Sequence, residues 1–171
     1  MENSLDDLDR RILEQLQTDS AITNQELAQR VHASPPTCLR RVRRLHETGV
    51  IEKQVAIVNP QKLGNTLTAI IEVTLDVQTA EALHAFEERA VAEPAILQCY
   101  RVSQGPDFVL IAQVADMPAY HDMAHRAFTS DANVRNVRTF FSIHRSKFET
   151  RTLGPVNAKR TVALAGKSQA G

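Results

Sequence analysis

Residues 23–45 decide the fold of the first third of this 171-residue chain, and they read TNQELAQRVHASPPTCLRRVRRL. Thr23, followed three residues later by a glutamate, forms a capping-box pattern that predicts a helix start. Ser34, followed by proline, predicts a second start, because the first helical position needs no N–H donor. Only residues 32–34 separate the two helices, so we expect them to cross steeply, as in a helix-turn-helix. An amphipathic segment upstream predicts a third helix in the same unit.

The last helix of this unit, predicted over residues 35–46, contains the main functional signal. Leu39, Val42 and Leu45 are spaced to form its buried stripe. That spacing leaves arginines at positions 40, 41, 43 and 44 for the outer faces, with no acid among them. A capped helix with small polar residues at its start and arginines along its outside suits the major groove of DNA. A solvated basic helix face is the alternative interpretation.

Turn-rich sequence divides the chain into regions. Residues 49–58 alternate apolar and polar side chains and predict a strand, which completes a winged helix-turn-helix and leads into a linker. We therefore expect a DNA-binding unit at residues 1–60 and a second domain at residues 61–150. Residues 151–171 lack hydrophobic periodicity and predict a flexible tail.

The second domain alternates strand and helix patterns. A Gly-Pro-Asp turn at residues 105–107 predicts a hairpin between its two middle strands. The resulting order βαββαβ is ferredoxin-like, which makes the chain an α+β protein. The strands are apolar at more positions than two helices can cover, so a homodimer is expected. Strands are predicted at residues 66–76, 96–103, 108–115 and 134–148, and helices at residues 79–92 and 118–128.

Charge is segregated along the chain although the formal net charge is zero. Residues 1–63 hold nine basic and nine acidic residues, residues 64–131 hold three and ten, and residues 132–171 hold eight and one. Two cysteines are too few for a disulfide framework. The sequence has no signal-peptide pattern and no apolar run of membrane-spanning length, so a cytoplasmic protein without a membrane partner is expected.

Several runs of sequence resemble the Lrp/AsnC (leucine-responsive / asparagine regulator) family of transcription factors. The matching runs are residues 5–13 (LDDLDRRIL), 19–28 (DSAITNQELA), 34–45 (SPPTCLRRVRRL) and 49–51 (GVI), and the resemblance extends over residues 5–148. It implies a sequence-specific regulator that binds double-stranded DNA as a homodimer or a higher oligomer such as an octamer. It also implies an effector, an amino acid or a related metabolite, bound between subunits near the hairpin turn.

Candidate DNA contacts come from the start and outer side of the third helix. Small polar residues at its start are expected to approach base edges or phosphates, and its arginines to contact bases and phosphates. The candidates are Ser34, Pro36, Thr37, Arg40, Arg41 and Arg44.

Candidate ligand contacts come from the hairpin turn. The family's turn runs glycine, acid, any residue, aspartate, aromatic, whereas residues 103–108 read SQGPDF and match only its last two positions. A carboxylate suits the α-ammonium group of an amino acid, and backbone N–H groups and hydroxyls suit its carboxylate. An aspartate that merely completes an Asx-type turn is the alternative. The candidates are Gly105, Asp107, Thr129 and Ser130.

Catalytic chemistry is not predicted. His121 and His125 are spaced i, i+4 on a helix, but no third metal ligand accompanies them, and no metal or cofactor site is expected. Phosphate-loop and nucleophile signatures are absent from the sequence. The chain is therefore expected not to be an enzyme, with an enzyme carrying a regulatory domain as one alternative. In a second alternative, a DNA-binding or architectural protein uses the βαββαβ domain only to oligomerise.

Overall fold

A computed structural model describes residues 5–64 and 66–152 of the chain. These residues form two compact units. One contains the chain up to Ile57 together with the segment from Phe148 onward, and the other contains Val58–Lys147. The flexible tail predicted over residues 151–171 lies, from residue 153 onward, outside the described residues.

Three helices form the first unit: α1 (Asp7–Thr18), α2 (Asn24–Arg30) and α3 (Pro35–Glu47). Capping boxes start α1 at Asp6 and α2 at Thr23, and the second is the start that the Thr23 pattern predicts. The segment from Phe148 onward, here called the returning segment, also contacts α1. Gln17 Oε1 accepts from the N–H of Thr152 at 2.7 Å, and Gln17 Nε2 donates to the Thr152 carbonyl at 3.3 Å. The helices enclose a small apolar core of Ile12, Leu27, Ala28, Val31, Cys38 and Leu45.

The buried side of α3 differs from the predicted stripe. Cys38 and Leu45 are fully buried and Val42 is half-buried, but Leu39 is 62% exposed. The prediction that Leu39 faces the core is therefore wrong. Cys38 and Leu45 are seven residues apart, close to two full turns, so they share one side, whereas Leu39 lies about 100° further round the helix. Proline follows Ser34 at the first helical position, as predicted.

The segment between the two units is not a strand. Residues 52–59 have no regular secondary structure and all are exposed, so the prediction of a strand over residues 49–58 is wrong. A strand requires a partner for its backbone N–H and C=O groups, and no described strand pairs with this segment. A short 3₁₀ turn at Pro60–Lys62 follows it.

The second unit is a four-stranded antiparallel sheet with helices packed on one face. Its strand order is β2-β3-β1-β4, with both middle strands buried against the helices. This is the predicted ferredoxin-like arrangement, and the α+β fold is confirmed. The elements are β1 (Leu67–Leu75), α4 (Ala80–Ala92), β2 (Ile96–Arg101), β3 (Phe108–Val114), α5 (Met117–Ala124) and β4 (Val134–Phe141).

The last helix and the last strand of this unit differ from the prediction. The helix predicted over residues 118–128 is α5 followed by a π-helical turn at His125–Thr129. The last strand ends at Phe141 and not at residue 148. Phe141 pairs with Ala69 near the start of β1, and one further bond joins Ser142 N–H to the Thr68 carbonyl at 2.9 Å. Strand β4 therefore ends where its partner begins.

Candidate functional site

The outer side of α3 is exposed and cationic. Pro36, Leu39 and Arg40 are exposed, as is Arg43 one turn after Leu39. Arg43 Nε lies 2.7 Å from Glu47 Oε1, but this pair is exposed at 79% and 59% and is therefore well solvated. Arg40 forms no ion pair with any residue in the described ranges. This surface offers two guanidinium groups and an apolar side chain to an approaching ligand.

The side of α3 that faces α1 contains two arginines in fixed ion pairs. Arg41 Nη1 lies 2.5 Å from Asp6 Oδ2 and 3.1 Å from Asp9 Oδ1, and Arg44 Nη2 pairs with Asp9 Oδ2. Asp9 is fully buried. The side chains of Arg41 and Arg44 are only 24% and 40% exposed. Their two positive charges are thus balanced inside the unit by two carboxylates.

The surroundings of Asp6 and Arg41 favour the charged form of each side chain. The Asp9 backbone N–H, with the Arg41 guanidinium beside it, holds the pKa of Asp6 below its ordinary value. Hydrogen bonds to Asp6 and then Asp9 raise the pKa of Arg41 above its ordinary value. Asp6 and Arg41 therefore stay charged at neutral pH. Together with Asp9 and Arg44 they form the cluster here called the α1–α3 clamp. The sequence pattern indicates the two arginines, but nothing in it indicates Asp9 as their partner.

The start of α3 is joined to the start of α2. Asn24 Nδ2 donates to the Pro35 carbonyl at 2.9 Å, which ties the first turns of the two helices together. The hydroxyl of Ser34 bonds to the hydroxyl of Thr37 at 2.8 Å and does not cap a backbone N–H of α3. Pro35 and Pro36 have no N–H, so Thr37 has the only backbone N–H among the first three residues of α3 that could meet a phosphate. Of the predicted contacts, Ser34, Pro36, Thr37 and Arg40 lie at this end or on the outer side, whereas Arg41 and Arg44 turn toward α1.

The hairpin turn contains the candidate aspartate in a bonded state. Gly105 adopts φ +90°, a left-handed conformation that glycine allows at little cost. Asp107 is half-buried, and its Oδ2 accepts from the N–H of Leu75 at 2.7 Å and from Gln78 Nε2 at 3.3 Å. Its carboxylate therefore bonds to the backbone at the end of β1, 32 residues away in the chain. An Asx-type turn, the alternative given for this aspartate, would instead bond within the hairpin turn itself.

Both candidate hydroxyls already donate within their own turn. Thr129 Oγ1 donates to the Ala124 carbonyl at 3.1 Å, and Ser130 Oγ donates to the Arg126 carbonyl at 3.2 Å. These bonds close the π-helical turn. In this state each hydroxyl offers lone pairs to a further partner and has no proton left to give.

A second pair of ionic contacts lies where α4 meets the π-helical turn. Glu93 is 9% exposed and accepts two bonds of 3.0 Å from Arg126, which hold the pKa of Glu93 below its ordinary value. Arg89 pairs with Asp131. These arginines line a shallow depression, but each already has a carboxylate partner. The depression therefore lacks an uncompensated charge for a ligand.

Within residues 5–64 and 66–152, no three metal-ligating side chains converge, and His121 and His125 stand without a third ligand. None of the helices described for this chain has the length and apolar character needed to cross a membrane.

Comparison with known proteins identifies both units. A family model described as winged helix-turn-helix DNA-binding matches residues 5–52, and one described as the Lrp/AsnC ligand binding domain matches residues 68–152. A leucine-responsive regulatory protein from Rhizobium meliloti is 40% identical over 143 residues, which is 84% of this chain and 92% of the relative. The chain belongs to the Lrp/AsnC family. It is a DNA-binding transcriptional regulator of that family, which confirms the resemblance found in the sequence.

Solved structures agree over nearly the whole fold. An AsnC family transcriptional regulator from Agrobacterium tumefaciens superposes with a TM-score of 0.79 and 31% identity, covering 87% of this chain and 97% of that one. A transcriptional regulator from Neisseria meningitidis, solved as a complex with L-methionine, gives 0.79 and 29%, covering 90% and 98%. The arrangement of helices and strands in this chain is therefore the arrangement of that family.

Proposed function

We propose that the chain acts as a homo-oligomeric regulator that binds double-stranded DNA through α3 and changes its DNA affinity when an amino acid binds between sheet domains. The observation that carries the DNA-binding surface is the exposed side of α3, where Arg40 forms no ion pair within the described residues and the pair of Arg43 is well solvated. We propose Ser34, Pro36, Thr37 and Arg40 as contacts on this surface.

Salt dependence of DNA affinity tests this surface directly. The probe is a duplex that the wild type selects from a random-sequence pool, with affinity measured by fluorescence anisotropy over a range of salt. Arg40→Gln is expected to lower the slope of log affinity against log salt by about one. Arg135→Gln removes the same charge from the sheet unit, where the side chain is 60% exposed, and is expected to leave the slope unchanged. Equal slopes for all three proteins would contradict α3 as the binding surface.

Oligomerisation is proposed through the uncovered face of the sheet. Ile70 pairs with Ile111 on one side and with Phe140 on the other, which places three apolar side chains in a row. Ile70 and Phe140 are 39% and 46% exposed on that face. A second copy of the chain covers such a row symmetrically and provides the two half-sites that dimeric regulators use.

Light scattering measures the assembly. The wild type is expected to have at least twice the 19.0 kDa mass of one chain, and an octamer is one allowed result. Ile70→Lys is expected to reduce that mass, because it places a charge in the proposed interface. A wild type that scatters as a single chain at micromolar concentration would refute the homodimer.

Amino-acid sensing is proposed at the hairpin, with Gly105, Asp107, Thr129 and Ser130 as the candidate contacts. Support comes from the similarity to the Neisseria meningitidis regulator that was solved with L-methionine. Thermal unfolding with each of the twenty amino acids tests it, because a ligand that prefers the folded state raises the midpoint. L-Methionine is expected to raise the midpoint in the wild type and not in Asp107→Ala, while Asp76→Ala, an exposed acid at the end of β1, is expected to respond like the wild type.

A second candidate function keeps DNA binding and limits the sheet domain to oligomerisation. The observation that favours it is the state of the hairpin: Asp107 is occupied by Leu75 and Gln78, and Pro106 provides no N–H. If no amino acid changes the unfolding midpoint, the DNA affinity or the oligomer mass of the wild type, this candidate replaces the sensing one. The DNA-binding proposal is unaffected by that result.

A further inference from the structure

Helix α3 presents its arginines to two different environments. Arg40 is exposed without an ion pair among the described residues, and Arg43 is paired only with an exposed glutamate. Arg41 and Arg44 are held by the buried carboxylate of Asp9. Four arginines on one helix thus divide into a solvent-facing pair and a clamped pair.

The clamp fixes the rotation of α3 relative to α1. Asp9 Oδ1 accepts from Arg41 and Asp9 Oδ2 accepts from Arg44 and from the N–H of Asp6. A fully buried carboxylate is stable as a charge only while such partners remain in place. Arg41 and Arg44 are three residues apart, so they reach Asp9 together only at one orientation of the helix. Turning α3 about its axis would leave the buried carboxylate unpaired.

We propose that Asp9 is a positioning residue for DNA binding, and that Arg41 and Arg44 orient α3 and do not neutralise phosphates. The proposal rests on α3 being the DNA-binding surface. It assigns the electrostatic contacts to Arg40 and Arg43, the two arginines of α3 that face solvent. It also makes Asp9, an acid that touches no DNA, necessary for full affinity.

Removing the charge of Asp9 gives a result opposite in sign to simple electrostatics. A protein that loses a negative charge near its DNA-binding surface is expected to bind DNA more tightly. Asp9→Asn should instead weaken binding to the selected duplex by about tenfold at every salt concentration, because α3 loses its orientation. Asp7→Asn is the matched control: it removes the same charge from the same first turn of α1, where Asp7 is 88% exposed and, among the described residues, pairs with Arg11 alone. It should bind as tightly as the wild type or more tightly.

Salt slopes of the arginine variants provide the second measurement, which stands even if Asp9→Asn unfolds. Arg41→Gln should keep the slope of the wild type, whereas Arg40→Gln should lower it by about one. A drop of about one for Arg41→Gln, or tighter binding by Asp9→Asn than by the wild type, would overturn the positioning role. Unchanged slopes for Arg40→Gln and Arg43→Gln would instead remove α3 as the DNA surface, which is the failure of the proposed function.

Leu39 carries a second inference from a different observation. Leu39 is 62% exposed on the outer side of α3, three residues after Pro36 and four before Arg43. Cys38 occupies the core position that the sequence pattern predicts for Leu39. The C5-methyl of thymine is the apolar group that base pairs present in the major groove. A leucine exposed beside Arg43 on the outer side of α3 matches that group in chemistry.

We infer that Leu39 is a specificity-determining residue that contacts a thymine methyl, provided that α3 enters the major groove. The probe is the selected duplex in which each thymine in turn is replaced by deoxyuridine, which removes only the methyl group. At one position, the wild type should lose affinity about threefold to tenfold, the range of one buried methyl. Leu39→Ala should bind the thymine and uracil duplexes equally at that position.

A control variant distinguishes failure of the Leu39 contact from failure of α3 as the DNA-binding surface. Val91→Ala shortens a side chain of similar exposure, 69%, in the sheet unit and should keep the full uracil effect. A uracil effect of the same size in Leu39→Ala, or no uracil effect at any position of the wild type, would overturn the role of Leu39. Loss of the salt-slope difference between Arg40→Gln and the wild type would mark the failure of the DNA surface itself.

Discussion

Two carboxylates are buried among the described residues, Asp9 in the helical unit and Glu93 in the sheet unit. Both pair with arginine, but their surroundings differ. Asp9 is fully buried and holds two arginines that are 24% and 40% exposed. Glu93 is 9% exposed and holds one arginine that is 58% exposed. The same chemistry therefore serves a sealed contact in one unit and a partly solvated contact in the other.

Burial, and not the ion pair itself, decides how much each of these contacts contributes to stability. A charge removed from water loses its hydration and depends on its partners, so removing one partner leaves a large penalty. A charge that keeps part of its hydration loses less when its partner is removed. Asp9 is thus expected to matter more than Glu93, although both form short bonds to guanidinium groups.

Replacing Asp9 should produce the largest loss. Asp9→Ala removes a buried carboxylate that accepts hydrogen bonds from Arg41, Arg44 and the Asp6 N–H, and losing these three bonds is expected to lower the free energy of unfolding by about 3–5 kcal/mol. Urea denaturation followed by helical circular dichroism measures the change. A loss below about 1 kcal/mol would show that α1 and α3 pack independently of the clamp.

Replacing Glu93 should produce the next largest loss. Glu93→Ala removes two charge-assisted bonds but leaves Arg126 in contact with water, so about 1–3 kcal/mol is expected. Both tyrosines of the chain, Tyr100 and Tyr120, lie in the sheet unit, so tyrosine fluorescence reports on this unit alone. A loss equal to that of Asp9→Ala would erase the comparison between the two carboxylates.

Acidification should weaken both units in the same direction. The pKa of Glu93, lowered by Arg126, and the pKa of Asp6, lowered by the Asp9 N–H and Arg41, lie below those of the unfolded chain. Their contributions are complete above the ordinary carboxyl pKa of about 4 and are lost as pH falls through the lower folded values. Urea midpoints measured between pH 7 and pH 3 should fall as the pH falls. When unfolding is followed by tyrosine fluorescence, the midpoint of Glu93→Gln should fall less than that of the wild type. An unchanged fall in that variant would contradict the ion pair.

The solvated pair on α3 should matter least. Arg43 and Glu47 are 79% and 59% exposed, and exposed pairs at i, i+4 contribute about 0.3–0.5 kcal/mol. Glu47→Gln is expected to change the free energy of unfolding by no more than about 0.5 kcal/mol, again measured in urea. A loss of several kcal/mol would mean that the outer side of α3 is also part of the structural framework.

Local chemistry made much of the fold predictable. The capping box at Thr23 and the proline after Ser34 fixed the starts of α2 and α3, and the Gly-Pro-Asp turn correctly joined β2 and β3. These signals act within a few residues and need no tertiary partner. The alternation of strands and helices then gave the ferredoxin-like order.

Features that depend on tertiary contacts were predicted wrongly or missed. Leu39 and Cys38 are adjacent in the sequence, and either could share a buried helix side with Leu45. The greater hydrophobicity of leucine favoured Leu39 in the prediction, but Cys38 is the residue buried in the core. Asp9 pairs with Arg41 and Arg44 across more than 30 residues, and such a pairing has no local pattern. The alternating sequence over residues 49–58 resembles a strand, but the described chain offers it no neighbour. The DNA and ligand contacts stay predictions for the same reason, since they depend on molecules outside the chain.

The bonds between Gln17 and Thr152 affect the order in which the chain is assembled during synthesis. Because the segment from Phe148 onward belongs to the helical unit, the chain passes between the units twice, near Ile57 and near Lys147. The three helices leave the ribosome first, yet their last contact forms only after the whole sheet unit has been translated. A single protease cut in residues 52–59 would likewise leave the helical unit tethered through its hydrogen bonds to the returning segment. After that cut, the two exposed bonds between Gln17 and Thr152 would hold the cleaved helices only reversibly.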